Sequence, residues 1–275
     1  MRSSLFALVP AIALGCAPEP VYDDELGVTA VPADEGSLAG TFALKTRSLT
    51  LEEAPVIGEQ EGGGTNLRLV VRTWDAEARA YQQESRLCGG ISYEVAGLTQ
   101  NIPVETYRKV PKSTRELTVV DHDRGTYVST GHLQLWALRD LPDPFETKLP
   151  ADAEEARTTP HSERIYDMDE DDQPGVTIFM EGVVNGEIYG AQRKQVEIEG
   201  VILGPDHALG LSRLEKESVQ LGASNDLLSL GKGSSRNHPD PKESWFEEVR
   251  IEDGSDCDDV VAAEADGRLS HLRPF

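Results

Sequence analysis

The chain has 275 residues, of which 38% are hydrophobic and 27% charged, enough apolar content for a core and enough polar content to stay dissolved. Acidic residues outnumber basic ones 49 to 26, for a formal net charge of −23 and a pI near 4.6. A field of that sign repels phosphate backbones and anionic headgroups, which excludes nucleic acid as an expected partner and favours cations or basic surfaces.

Residues 1–15 read as a targeting segment. Arg2 supplies a minimal positive region, and Leu5–Leu14 is almost wholly apolar. That run is shorter than the roughly 20 apolar residues a membrane-spanning helix requires, and it suits the core of a signal peptide. It ends on Ala13-Leu14-Gly15-Cys16, which resembles the lipobox of bacterial lipoproteins, with Ala13 where that family prefers Leu. The resemblance implies acylation of Cys16 and cleavage just before it. Ala17 follows, not the Asp that retains such proteins in the inner membrane, so the analogy implies an outer-membrane lipoprotein of the cell envelope. Two or three acyl chains, palmitate among them, anchor stably where one does not. The competing reading is an ordinary secretory signal cleaved near Ala17, with Cys16 incidental.

Residues 16–37 then form a tether, rich in Pro and acidic residues from Pro18 to Gly36, that holds the folded part away from the bilayer. Residues 38–253 are expected to make one β domain. Period-two or β-branched runs occur at Thr41–Arg47, Leu67–Trp74, Ile91–Val95, Glu116–Val120, Thr126–Leu138, Gly175–Val184, Glu187–Leu203, Ala208–Leu221 and Trp245–Ile251. Glu61–Gly64, Asp121–Gly125, Asn185-Gly186 and Gly204-Pro205-Asp206 read as turns, and Asn185-Gly186 is the strongest hairpin signal. Gly200 is a candidate bulge between two apolar halves of one strand. Roughly ten strands and no long amphipathic helix predict an all-β fold, an antiparallel barrel or sandwich with long polar loops. The longest of these loops spans 139–174; another spans 222–244, and 254–275 is an acidic tail that is ordered only where Cys257 pins it.

Three cysteines are present, at 16, 88 and 257. If Cys16 is acylated, Cys88 and Cys257 remain, and in an oxidising compartment they are expected to pair; the alternative is two separate thiols. Asp167, Asp169 and Asp171 stand at alternate positions of one loop, a spacing by which oxygen ligands gather around a hard cation. The Asp-x-Asp-x-Asp core resembles the start of EF-hand and thrombospondin-type calcium loops, but Asp172 replaces the EF-hand Gly and Ile178 its bidentate Glu. The loop is a candidate Ca²⁺ site of the weak, extracellular class, about 10⁻⁴–10⁻³ M; the alternative is a solvated acidic loop.

Gly40-Thr41-Phe42 resembles the Gly-x-Trp opening of lipocalins and related calycins, with Phe42 in place of the Trp that closes the barrel floor. That resemblance implies a barrel with an apolar ligand; an unrelated sandwich would use Phe42 simply as core. The histidines form no metal-binding pair and no nucleophile elbow is present. The leading expectation is therefore a non-enzymatic envelope lipoprotein, attached to a membrane through its lipid and carrying a small apolar ligand. A structural or protein-interaction module of the envelope is the alternative. A hydrolase would require His132 or His207 to meet a carboxylate in a cleft.

Overall fold

A computed structural model describes residues 26–54, 58–92, 94, 97–228, 234–270 and 273–275. The expected signal segment, Cys16 and the expected tether up to residue 25 lie outside the described residues. Eleven strands form one antiparallel sheet: β1 (Gly40–Ala54), β2 (Gly58–Asp75), β3 (Ala80–Ser92), β4 (Leu98–Asn101), β5 (Ser113–Asp121), β6 (Thr126–Trp136), β7 (Val176–Gly182), β8 (Gly186–Gly204), β9 (His207–Ala223), β10 (Ser234–Asn237) and β11 (Trp245–Ile251). The all-β expectation holds.

Eight of these strands close on themselves. The pairings run β1–β2, β2–β3, β3–β5, β5–β6, β6–β8, β8–β9, β9–β11 and β11–β1, every one antiparallel. Each strand thus pairs with its neighbour in chain order, and the last returns to the first. A closed ring leaves no long unpaired edge among its members. The three remaining strands are short extensions: β7 continues along β8 beyond the end of β6, β4 pairs with β7, and β10 pairs with the far end of β1.

Several expected features fall in different places. Gly62, Gly63 and Gly64 are not a turn but sit within β2, opposite Thr50, Leu49 and Ser48. A Cβ on Gly63 would lie 2.0 Å from the Ser48 carbonyl oxygen, and its φ is +117°, so close backbone approach explains the glycine. Gly200 is paired in register with Gly210, and the irregularities of β8 lie elsewhere. Its missing side chain makes room for the Phe246 ring, 2.4 Å from where a Cβ would stand. The strand expected at 91–95 ends at Ser92 and begins at Ala80; its inward positions include Gln83 and Ser85, which hide the alternation.

The latter part of the expected tether is packed, not free. The Val31 amide donates to the Ile202 carbonyl at 2.8 Å and that of Ala33 to His122 at 2.9 Å. Leu26, Ala33 and Leu38 are buried against the barrel. The C-terminal tail carries a helix the sequence pattern did not announce, Cys257–Ala265, capped by reciprocal hydrogen bonds between Asp256 and Asp259. Its buried positions Cys257, Val260 and Ala263 cover the outer face of the barrel over Leu67, Leu69 and Cys88. The Cys88–Cys257 disulfide fastens it there.

Residues 139–174, expected to stray over the surface, have an apolar underside. Leu149, Ala156 and Met168 join Leu138, Trp136 and Leu87 in one cluster. A helix at Val104–Lys109 brings Tyr107 edge-on to Trp136, 5.2 Å between ring centres.

Candidate functional site

Strand alternation decides what points into the barrel. On β8, Val196 and Ile198 are fully buried in the same cluster as Phe42, Val70 and Phe246. Lys194 and Gln192, two and four residues earlier, therefore share the inward face. On β2, Leu67 and Leu69 pack outward under the C-terminal helix, so Arg68, Val70 and Arg72 point inward. On β6 the inward residues past its bulge are His132, Gln134 and Trp136, each at most 1% exposed. The interior is polar to an extent unusual for a barrel core.

One layer of it is fully satisfied. Arg72 donates to both oxygens of Glu248, Nη1 to Oε1 at 2.8 Å and Nη2 to Oε2 at 2.5 Å, with both side chains wholly buried. Its Nε donates to Gln83 Oε1 at 2.8 Å, and the Tyr127 hydroxyl donates to Glu248 Oε1 at 3.0 Å. The guanidinium also stacks 4.7 Å from the Phe42 ring centre. Burial works against the charge of Arg72, but the Glu248 carboxylate more than offsets it and its pKa is raised. Further along, His132 lies 3.3 Å from Ser85 Oγ and 3.2 Å from Gln83 Nε2.

The next layer is unsatisfied. Arg68 is 1% exposed, yet its Nε and Nη2 find no hydrogen-bond partner, and neither do Gln134 Nε2, Thr46 Oγ1 and Ser48 Oγ. Gln134 Oε1 accepts from Trp136 Nε1 at 2.9 Å, which fixes the amide with its NH₂ group turned away from that bond. Lys194 is the register partner of Gln134 and holds its Nζ 5.2 Å from the Trp136 ring centre. Arg68 on β2 and Lys194 on β8 face one another across the ring, four strands apart. Burial lowers Arg68 to about 10. Burial, then repulsion from Lys216, lowers Lys194 to about 7, with Arg68 adding to the depression and Glu52 opposing it. Lys194 nevertheless keeps part of its surface accessible, so the space around it is not filled solid. Beside it, Lys216 pairs with Glu52 at 3.5 Å, each about a quarter exposed.

Asp167, Asp169 and Asp171 do converge, with one oxygen of each within 4.8 Å of the others. Most of their oxygens already accept hydrogen bonds. Asp167 takes the amides of Glu170, Asp171 and Asp172, and Asp171 takes Gln173 N and Thr177 Oγ1. Asp169 Oδ2 accepts from Thr177 N at 2.8 Å, while its buried Oδ1 has no partner. Partial burial, with Asp171 and Asp167 adding to it, raises the Asp169 pKa against the opposing pull of the Thr177 amide. Lys109 closes the rim through the Asp169 carbonyl and Glu170.

His207 does meet a carboxylate, Nε2 to Glu247 Oε1 at 2.8 Å. Burial pushes Glu247 up, but His207 and Ser270 pull it below its usual range. The Ser270 amide donates to Glu247 Oε2 at 2.5 Å. Ser270 therefore sits on the carboxylate, not on the imidazole, the reverse of the order a serine nucleophile needs.

Sequence reading missed Arg68, Gln134 and Lys194. The available signal was their spacing of two from Val70, Trp136 and Val196, which puts each on the inward face. No protein-family model matches the chain, and no curated protein or solved structure matches it.

Proposed function

We propose that this chain is an exported lipoprotein, anchored through Cys16 to the outer membrane, whose closed barrel is a ligand-binding module and not an enzyme. The observation that carries the reading is the barrel interior. Eight strands enclose a space that side chains alone can fill or that admits one small ligand, and here a layer of buried donors is left without acceptors while Lys194 remains accessible. The Cys88–Cys257 disulfide supports export, because such bonds persist in oxidising compartments. The polar interior favours an occupant with a polar group over the wholly apolar ligand that the resemblance to lipocalins implies.

Two measurements test this. In a bacterial host, the wild-type chain is expected in the envelope fraction with an acylated Cys16, and Cys16→Ala is expected to leave the membrane. A wild-type chain that is soluble and unacylated overturns the anchor. Native mass spectrometry of the full chain should show small-molecule adducts that denaturation releases; an adduct-free protein that binds no small ligand overturns the binding module and favours an envelope interaction module.

A further inference from the structure

The unsatisfied layer has a specific chemistry, and it deepens the binding reading on which it rests. Every group in it that lacks a partner is a donor or a hydroxyl able to donate: Arg68 Nε and Nη2, Gln134 Nε2, Thr46 Oγ1 and Ser48 Oγ. The two arginine atoms form the side-on fork of the guanidinium, whose parallel N–H bonds match two oxygens of a carboxylate or phosphate. Charge points the same way. Among the described inward cations, Arg72 is neutralised by Glu248, Lys216 is paired with Glu52 and Arg250 with Asp206. Arg68 and Lys194 have no carboxylate within ion-pair distance among the described residues.

Two cations without an ion-pair partner face each other inside a protein whose net charge is −23. Overall composition does not account for that, and burying such groups without a counter-charge works against folding. The neighbouring Arg72 layer shows the alternative: the same fold, one layer away, supplies its own carboxylate.

We propose that the Arg68–Gln134–Lys194 layer binds an oxyanion, a carboxylate or phosphate group gripped by the Arg68 fork and completed by the Gln134 amide and the Lys194 ammonium. A free anion and the head of a short amphiphile present the same oxygens to this layer. The Lys216–Glu52 pair, partly exposed beside Lys194, marks the side from which it enters.

The test is calorimetric titration of the full chain in a non-ionic detergent with inorganic phosphate, octanoate and octanol. Saturable heat from phosphate alone supports a free anion, from octanoate alone an amphiphile head, and from both an oxyanion site indifferent to what it carries. Arg68→Met is expected to weaken whichever anion binds at least tenfold. Because that variant removes a buried side chain, Gln134→Glu serves as a second probe. It keeps the acceptor for Trp136 and places a carboxylate inside the layer, so it should raise the unfolding temperature and abolish anion binding. Heat from octanol and neither anion overturns the oxyanion assignment and leaves the binding module standing. Silence from all three overturns the oxyanion assignment whatever the stability of Gln134→Glu, and the native mass spectrum then decides the binding module separately.

Discussion

Lys194→Met isolates the cost of holding an ammonium inside the barrel. Methionine has nearly the same length and volume, so the change removes charge and little packing. In the folded protein, burial and the neighbouring Lys216 and Arg68 lower Lys194 from 10.5 to about 7, with Glu52 the opposing charge. Because the folded value lies below that of the unfolded chain, the unfolded ensemble holds the extra proton between those two values. Stability therefore rises with pH through that window, and the penalty is full only below about pH 7. At about 1.36 kcal/mol per tenfold change in proton affinity, the full displacement corresponds to roughly 5 kcal/mol. That figure is an upper bound, since the partial accessibility of Lys194 admits water.

Relative to wild type, Lys194→Met should gain stability, and the gain should shrink by roughly 3 kcal/mol between about pH 6.5 and 9.5. Urea unfolding followed by circular dichroism measures it, and taking the difference between the two proteins cancels the titration of all other groups. A difference that stays flat across that range would refute the placement of this ammonium in a desolvated interior.

Glu248→Gln should cost about 3–5 kcal/mol in urea unfolding, because it strands the buried Arg72 guanidinium; a loss below about 1 kcal/mol would show that the pair is solvated. Tyr127→Phe removes a single hydrogen bond to the same carboxylate and should cost about 1–3 kcal/mol. Replacing Cys88 and Cys257 together by serine should lower stability by about 4–5 kcal/mol, the value expected for a crosslink spanning 169 residues; an unchanged unfolding midpoint would mean the helix at Cys257–Ala265 holds without it. Calcium titrated calorimetrically at millimolar concentration should give saturable heat that Asp169→Ala abolishes, and no heat from wild type would leave the Asp167–Asp171 loop organised by its own hydrogen bonds.

The sequence alone determined what depends on local pattern. Alternation located β11 to the residue, Trp245–Ile251, and Asn185-Gly186 marked the β7–β8 hairpin, where Asn185 Oδ1 accepts from Gly182 N at 3.0 Å. Cysteine parity named the Cys88–Cys257 pair. The helix at Cys257–Ala265 escaped because only three of its residues are buried, too few to impose a helical period on an acidic segment.

What tertiary structure decided is which face of each strand is inside. In Leu67-Arg68-Leu69-Val70-Val71-Arg72, hydrophobicity alone assigns the leucines to the core and the arginines to water. The C-terminal helix covers the outer face of β2 and shelters Leu67 and Leu69, which leaves Arg68 and Arg72 to point inward. A strand covered on both sides has no wet face by which its pattern can be oriented. The partners of those arginines were equally invisible, since Glu248 lies 176 residues from Arg72 and Lys194 approaches Arg68 only once the ring has closed. The barrel's interior charge is therefore a property of closure, and with it the chemistry of whatever the barrel holds.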